Sequence, residues 1–186
     1  PNDFLREQVQ TLEGAPLQVL CLAEGEGRNA VWLAGLGHEV MAVDLSATGL
    51  AKARQLAERR GVSIATMRAD LAEWDGGEVG EATQDLVVMI FAHTPPAVRE
   101  HVFALVDAVL KPGGLMLLEG YTPDQIGRGT GGPGDAAMMF SLPMLEEAFA
   151  GYEVLVGQER VRDIQEGLFH TGEGAVVQWL ARKPRS

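Results

Sequence analysis

The sequence predicts an α/β fold: a mostly parallel seven-stranded sheet with helices on both faces, ending in a C-terminal antiparallel hairpin. Three observations carry this. Apolar runs rich in β-branched residues alternate with segments of helical period, glycines punctuate the junctions, and the last two strand-like runs meet through a turn instead of a helix.

The elements follow in order. Residues 17–23 read as a buried strand ended by Gly25 and Gly27, and Asn29 to Leu36 as a helix closed by Gly37. His38 to Asp44 is a second strand. Ser46 is the expected N-cap of a helix through Leu50, Ala53, Leu56 and Ala57 that stops at Gly61. A third strand is expected at Val62 to Met67 and a fourth at Asp85 to Phe91. After Pro95-Pro96 a helix carries Val98, Val102, Leu105, Val106 and Val109 to Lys111, and Leu115 to Leu118 form a fifth strand. Beyond residue 140 a short helix, Ser141 to Phe149, precedes two runs, Tyr152 to Val161 and Ala175 to Ala181, joined through Gln165-Glu166-Gly167.

A chain of 186 residues, 46% hydrophobic, has the size and apolar content of one globular domain, taken here as residues 1–186. The opening at Pro1 instead of Met leaves room for a truncated N-terminal segment. Fifteen basic against 26 acidic side chains give a formal charge of -11, which would repel a phosphate backbone; the partner expected is a small molecule and not nucleic acid. The surplus is uneven, because residues 151–186 carry five of each sign. The single cysteine, Cys21, lies in an apolar run and fits a reducing, cytoplasmic compartment. No apolar stretch approaches the ~18 residues of a membrane span, so no membrane partner is expected. No Cys/His cluster has metal-ligand spacing.

The first strand runs into Glu24-Gly25-Glu26-Gly27-Arg28-Asn29-Ala30, a G-x-G-x-x-[GA] pattern, and Asp44 ends the second strand. Spacing alone fits a dinucleotide fingerprint with its ribose-binding acid. Charge points elsewhere. Glu24 and Glu26 would oppose a pyrophosphate over the helix N-terminus, whereas they suit the sulfonium and α-ammonium of S-adenosylmethionine.

Taken together, Pro1-Asn2-Asp3-Phe4-Leu5, the run Val19 to Asn29, Ala42-Val43-Asp44-Leu45-Ser46 and Lys111-Pro112-Gly113-Gly114 resemble a small class I S-adenosylmethionine-dependent methyltransferase, with the nearest likeness to the tellurite-resistance type. The resemblance implies a Rossmann-like methyltransferase sandwich. It also implies that Ala23, Glu24, Gly25, Gly27 and Asn29 face the methionine part, that Asp44 and Leu45 meet the ribose, and that Asp70 and Leu71 meet the adenine. Phe91, Ala92 and His93 would border the methyl group, and Asn2, Phe4 and Leu5 would cover the cofactor. The usual motif reads D-L-G-C-G, but this chain has Cys21-Leu22-Ala23-Glu24-Gly25: the strand aspartate and first glycine are absent, and Glu24 is the expected replacement carboxylate.

Methyl transfer from a sulfonium is an in-line displacement that mainly requires alignment and exclusion of water. His93 is read as a general base or substrate-orienting group, or else as a helix-entry hydrogen bond. Tyr121 is expected to line the pocket, and Arg128, within the glycine-rich stretch 127–134, to hold an anionic substrate. That stretch reads as a closing flap or a surface loop. His170, with Arg160 and Arg162 on the preceding strand, would supply local positive charge for an oxyanion if these groups reach the same mouth. The expected activity is methyl transfer to a chalcogen oxyanion, a thiol or a small metabolite by a monomer or homodimer. An NAD(P)-dependent oxidoreductase and a noncatalytic S-adenosylmethionine-binding module are the alternatives.

Overall fold

The computed structural model describes residues 1–12, 16–166 and 171–185. Seven strands form one sheet: β1 (Gln18–Leu22), β2 (Glu39–Asp44), β3 (Ala65–Arg68), β4 (Gln84–Ile90), β5 (Leu110–Tyr121), β6 (Glu153–Gln165) and β7 (Thr171–Arg182). Their spatial order is β3-β2-β1-β4-β5-β7-β6. The pairs among β1 to β5 are parallel, and β7 runs antiparallel to both β5 and β6. This is the expected sheet with its terminal hairpin.

Alternation along the central strands explains the layering. Leu20 and Leu22 of β1 pack with Val87, Met89, Met116 and Leu118 on one face, whereas Val19 and Cys21 pack with Leu86, Val88, Leu115 and Leu117 on the other. The first face is covered by α4 (Pro96–Val109) and α5 (Leu142–Ala148), the second by α1 (Asp3–Val9), α2 (Arg28–Gly35) and α3 (Ala47–Arg60). Strands buried on both sides have no polar face, which is why they read as continuous apolar runs.

Local signals set the helix ends. Ser46 Oγ accepts the Gly49 N–H at 3.0 Å to start α3, and Gly61 ends it at φ +68°, a left-handed conformation that glycine adopts freely. The link after α3 consumes more chain than expected: the Val62 N–H still bonds to the Ala57 carbonyl, so pairing with β2 begins only at Ala65. β5 is longer at both ends than its apolar centre, because Leu110 already pairs with Gln84 before a bulge and Tyr121 still pairs with Val176. Helix α1, absent from the sequence-based reading, is started by Asn2, whose side-chain oxygen accepts the Leu5 N–H. Among the described residues no helix is long and apolar enough to cross a membrane.

Candidate functional site

The strand order reverses between β1 and β4, and crevices at such switch points, beyond the carboxyl ends of the strands, are where open α/β sheets bind ligands. A cavity of about 320 Å³ lies there, with Ala23, Asp44, Leu45, Asp70, Leu71 and Thr94 in its wall. Two non-glycine residues adopt left-handed backbone on the crevice's flanks, Ala23 after β1 and Phe91 after β4, both at φ +52°. Such conformations cost about 1–2 kcal/mol each and persist only where surrounding structure enforces them.

The glycine loop is built for close approach. A Cβ on Gly27 would lie 2.6 Å from Ala53 Cβ, so only a hydrogen fits between the start of α2 and the flank of α3. Gly49 serves the same contact from the other side, since its Cβ would come within 3.0 Å of the Gly25 carbonyl oxygen. A Cβ on Gly25 would meet nothing within 4 Å, so there the loop needs glycine for its φ of +66° alone.

Glu24 turns into this loop. Its Oε1 accepts the backbone N–H groups of Asn29 and Ala30 at 2.8 and 2.9 Å, two of the free donors at the N-terminus of α2. Burial pushes the carboxyl up to about 7; the two amides and Arg28 oppose the rise, and Asp44 adds to it. Asp44 holds the loop from the other strand, its Oδ2 accepting the Gly25 N–H at 2.8 Å and its Oδ1 the Ser46 N–H at 2.7 Å. Each Asp44 oxygen accepts one of these bonds and so keeps further acceptor capacity, and Asp44 lines the cavity. Beyond Asp44, Leu45 is 57% exposed at the lip, an apolar surface that a flat ring can cover against Leu71. Asp70 closes the turn after β3, its Oδ1 accepting the Ala72 N–H.

Several expected roles are corrected by contacts. Glu26 pairs with Lys52 at 2.5 Å in an exposed bridge, so of the two loop carboxylates only Glu24 is bonded to the amides at the start of α2. Phe4 and Leu5 lie in the core beneath the sheet with Val19, Ala30 and Leu33, not over the cavity. Asn2 caps α1 and donates to Glu166 Oε1 at 2.7 Å, while its backbone N–H goes to the Asn29 side chain. Arg128 pairs with Glu173 at 2.8 Å, and Arg162 is enclosed between Glu119 and Glu166, 2.6 Å from each; these two charges are consumed by protein carboxylates. Arg160 is exposed on β6. His170 lies outside the described residues.

After β4 the chain passes through Phe91, buried Ala92 and His93. His93 Nε2 accepts the Tyr121 backbone N–H at 2.8 Å, which places the proton of the neutral ring on Nδ1. Its ring stacks on Tyr121 at 5.5 Å and 12°, and Phe91 stacks on Tyr121 at 4.8 Å. Tyr121 is fully buried, packed with Ile164 and Val176, and is not an open lining residue of the crevice. Burial, then the nearby Glu166, push its phenol up to about 12. The glycine-rich stretch packs on this ring: a Cβ on Gly132 would sit 2.8 Å from Tyr121 Cδ2. Buried Gln125 holds the stretch through the Gly131 carbonyl and the Thr130 hydroxyl.

Two features went unread in the sequence. Thr94 lines the cavity with a buried hydroxyl that has no hydrogen-bond partner among the described residues. The Asn2, Glu119, Arg162 and Glu166 cluster joins positions more than a hundred residues apart, and nothing local announces it. Among the described residues no group of three or more His, Cys, Asp or Glu could hold a metal ion.

Comparison with known proteins bears on this geometry. A family model described as a methyltransferase domain matches residues 19–114. The chain is 34% identical over 105 residues to the tRNA 5-carboxymethoxyuridine methyltransferase of Escherichia coli K12, which covers 56% of this chain and 40% of that protein. The chain therefore spans less than half the length of that curated relative. Among solved structures, it is 26% identical to the 1,6-didemethyltoxoflavin-N1-methyltransferase of Burkholderia thailandensis with bound 1,6-didemethyltoxoflavin and S-adenosylhomocysteine, at a TM-score of 0.68 over 98% of this chain and 79% of that one. TehB from Haemophilus influenzae shares the fold at a TM-score of 0.76 with 20% identity, over 96% of this chain and 61% of that one.

Proposed function

The chain belongs to the methyltransferase-domain family matched over residues 19–114, and on that premise we propose that it binds S-adenosylmethionine in the crevice between β1 and β4 and transfers its methyl group to a small nucleophilic acceptor. Residues 1–186 would act as a single cofactor-binding domain. The observation that carries the reading is Glu24. With its carboxylate already bonded to the Asn29 and Ala30 amides, the N-terminus of α2 offers a second anion repulsion in place of donors, which disfavours the pyrophosphate of a dinucleotide and favours a cationic ligand.

The lining residues fit that ligand. Asp44 presents acceptor lone pairs for two ribose hydroxyls, and Leu45 and Leu71 offer an apolar slot for the adenine beside Asp70. Glu24 supplies the negative field for the methionine part, in the role of the absent strand aspartate. Bound there, the cofactor supplies an electrophilic methyl group on a sulfonium. Ala23 and Phe91 then flank the reacting end, held by strained backbone at fixed positions.

The acceptor end supports a nucleophile that needs no deprotonation. His93 Nε2 is engaged by the Tyr121 amide, and the Tyr121 phenol is buried and kept in its neutral form through physiological pH. A thiolate, a chalcogen anion or a neutral amine brings its own electron pair, and the chain's task reduces to alignment and shielding from water. The net charge of -11 disfavours a polyanionic nucleic acid as the acceptor.

The test is calorimetry with S-adenosylhomocysteine and with NAD, followed by an assay for S-adenosylhomocysteine release against thiols, tellurite, selenite and small amines. Micromolar binding of S-adenosylhomocysteine without binding of NAD is expected. Binding of NAD alone overturns the reading, and tight cofactor binding without turnover on any acceptor reduces it to a noncatalytic module.

A further inference from the structure

Thr94 stands just before the start of α4 and lines the crevice together with Pro95, Val98, Asp44 and Asp70. Its hydroxyl is buried without a partner among the described residues. A buried hydroxyl with nothing to bond is an unfavourable arrangement, and such groups in folded proteins are generally satisfied by water or a ligand. The oxygen is enclosed as it stands, and a 120° turn about the Cα–Cβ bond, from one staggered position to another, is the motion by which it would meet a partner in the cavity that Thr94 lines.

The chemistry of the wall says what the hydroxyl would meet. Besides Thr94, the cavity is lined by alanine, leucine, valine, proline and two aspartates. The aspartates, when ionised, only accept hydrogen bonds, so they serve ligand hydroxyls and an exocyclic amine. They offer nothing to an acceptor. Thr94 carries the one side-chain hydrogen-bond donor among these lining residues, and a purine presents ring nitrogens that are acceptors. We infer that the Thr94 hydroxyl donates to a ring nitrogen of the adenine and so reads the purine of the cofactor. This assignment rests on the S-adenosylmethionine reading above.

Two variants and a set of ligand analogues test it. Thr94→Val keeps the shape and removes the donor; Thr94→Ser keeps the donor. In calorimetry with S-adenosylhomocysteine, Thr94→Val is expected to bind roughly tenfold more weakly and Thr94→Ser within about twofold of the parent. Without ligand, Thr94→Val should melt no lower than the parent, because an unpartnered buried hydroxyl has been replaced by a methyl group. The decisive readout uses 1-deaza, 3-deaza and 7-deaza analogues of S-adenosylhomocysteine. One of them should bind the parent about tenfold more weakly than the natural compound yet bind Thr94→Val no worse than S-adenosylhomocysteine does. Equal affinity of parent and Thr94→Val for S-adenosylhomocysteine overturns the assignment alone, as does a lower melting temperature of the ligand-free Val variant or a deaza penalty that persists in it. Failure of the parent to bind S-adenosylhomocysteine at all overturns the cofactor reading and this assignment with it.

Discussion

Replacing Glu24 with glutamine would separate the stability of the protein from its affinity for a cation. In the folded chain burial raises the Glu24 carboxyl from 4.5 to about 7. An acid raised in this way holds its proton more tightly folded than unfolded. The penalty of ionising it is therefore absent below the unfolded value, grows between about 4.5 and 7, and is complete above the folded value. At 1.36 kcal/mol per pH unit, a gap of about 2.5 units is worth about 3 kcal/mol at pH 8, an upper bound because the residue keeps some solvent exposure. Glutamine retains an oxygen to accept the Asn29 and Ala30 amides but carries no charge, so the ligand-free variant should melt higher than the parent at pH 8, by several degrees with about 10 °C as the ceiling, and close to it at pH 5. Cofactor affinity should move the other way. A carboxylate some 5 Å from a ligand cation contributes roughly 1–3 kcal/mol at effective dielectric constants between those of water and protein, so S-adenosylmethionine should bind the variant on the order of tenfold more weakly at pH 8. In the parent, affinity should rise with pH through about 7 and then level off, and the variant should lose that dependence. Scanning fluorimetry at both pH values and titration calorimetry measure the two effects. Unchanged affinity at pH 8 refutes Glu24 as the cation's partner, and a melting temperature that falls at pH 8 refutes the burial argument.

Two further substitutions probe the scaffold around the site. Gly27→Ala would drive a methyl group into Ala53, 2.6 Å from its Cβ and 2.8 Å from its Cα; the loop must lift from α3, with about 2 kcal/mol or more lost in denaturant unfolding and cofactor affinity reduced with it. Arg162→Ala would leave the buried carboxylates of Glu119 and Glu166 without their shared cation, so unfolding at neutral pH should become easier by about 3–5 kcal/mol, with part of the loss recovered in Glu119→Gln/Arg162→Ala; equal stability of parent and single variant would show the cluster to be inert.

What could be read from the sequence depended on how local the cause was. The runs around Leu20, Val87 and Leu117 announce strands because both their neighbours and their own alternation are apolar, and Ser46, Gly37 and Gly61 mark helix ends through bonds and dihedrals confined to a few residues. Of the crevice wall, Asp44 was legible from its place at the end of the second strand, whereas Ala23 and Asp70 came from the family resemblance; the topology brings all three to one cavity. Charge assignments beyond the loop failed where partners were distant. Arg162 looked like a receiver for an anion until Glu119, 43 residues away on β5, and Glu166 enclosed it, and Arg128 is held by Glu173. The family resemblance assigned Phe4 and Leu5 to the cofactor; their apolarity takes them into the core, and the adjoining Asn2 spends its side-chain oxygen capping the helix they sit on.

The departure at Ala23 has a physical reading that the loop makes testable. Where the resembling motif has its first glycine, this chain has alanine, and the backbone there still requires φ +52°. The left-handed region costs a residue with a Cβ about 1–2 kcal/mol, whereas glycine enters it freely and loses instead about 0.5–1 kcal/mol through the greater freedom of its unfolded chain. The difference favours glycine by roughly 0.5–1 kcal/mol, so Ala23→Gly should raise the melting temperature of the ligand-free protein by about 1–4 °C. The alanine methyl lies at the wall of the cavity, however, and its removal opens the crevice at the end expected to hold the methionine part. Ala23 also packs against the apolar cluster that contains Leu22, so its methyl has contacts to lose besides its strain. Ala23→Gly should be more stable when empty and bind S-adenosylhomocysteine more weakly. Lower stability in the ligand-free state would show that the methyl group's packing outweighs its backbone strain.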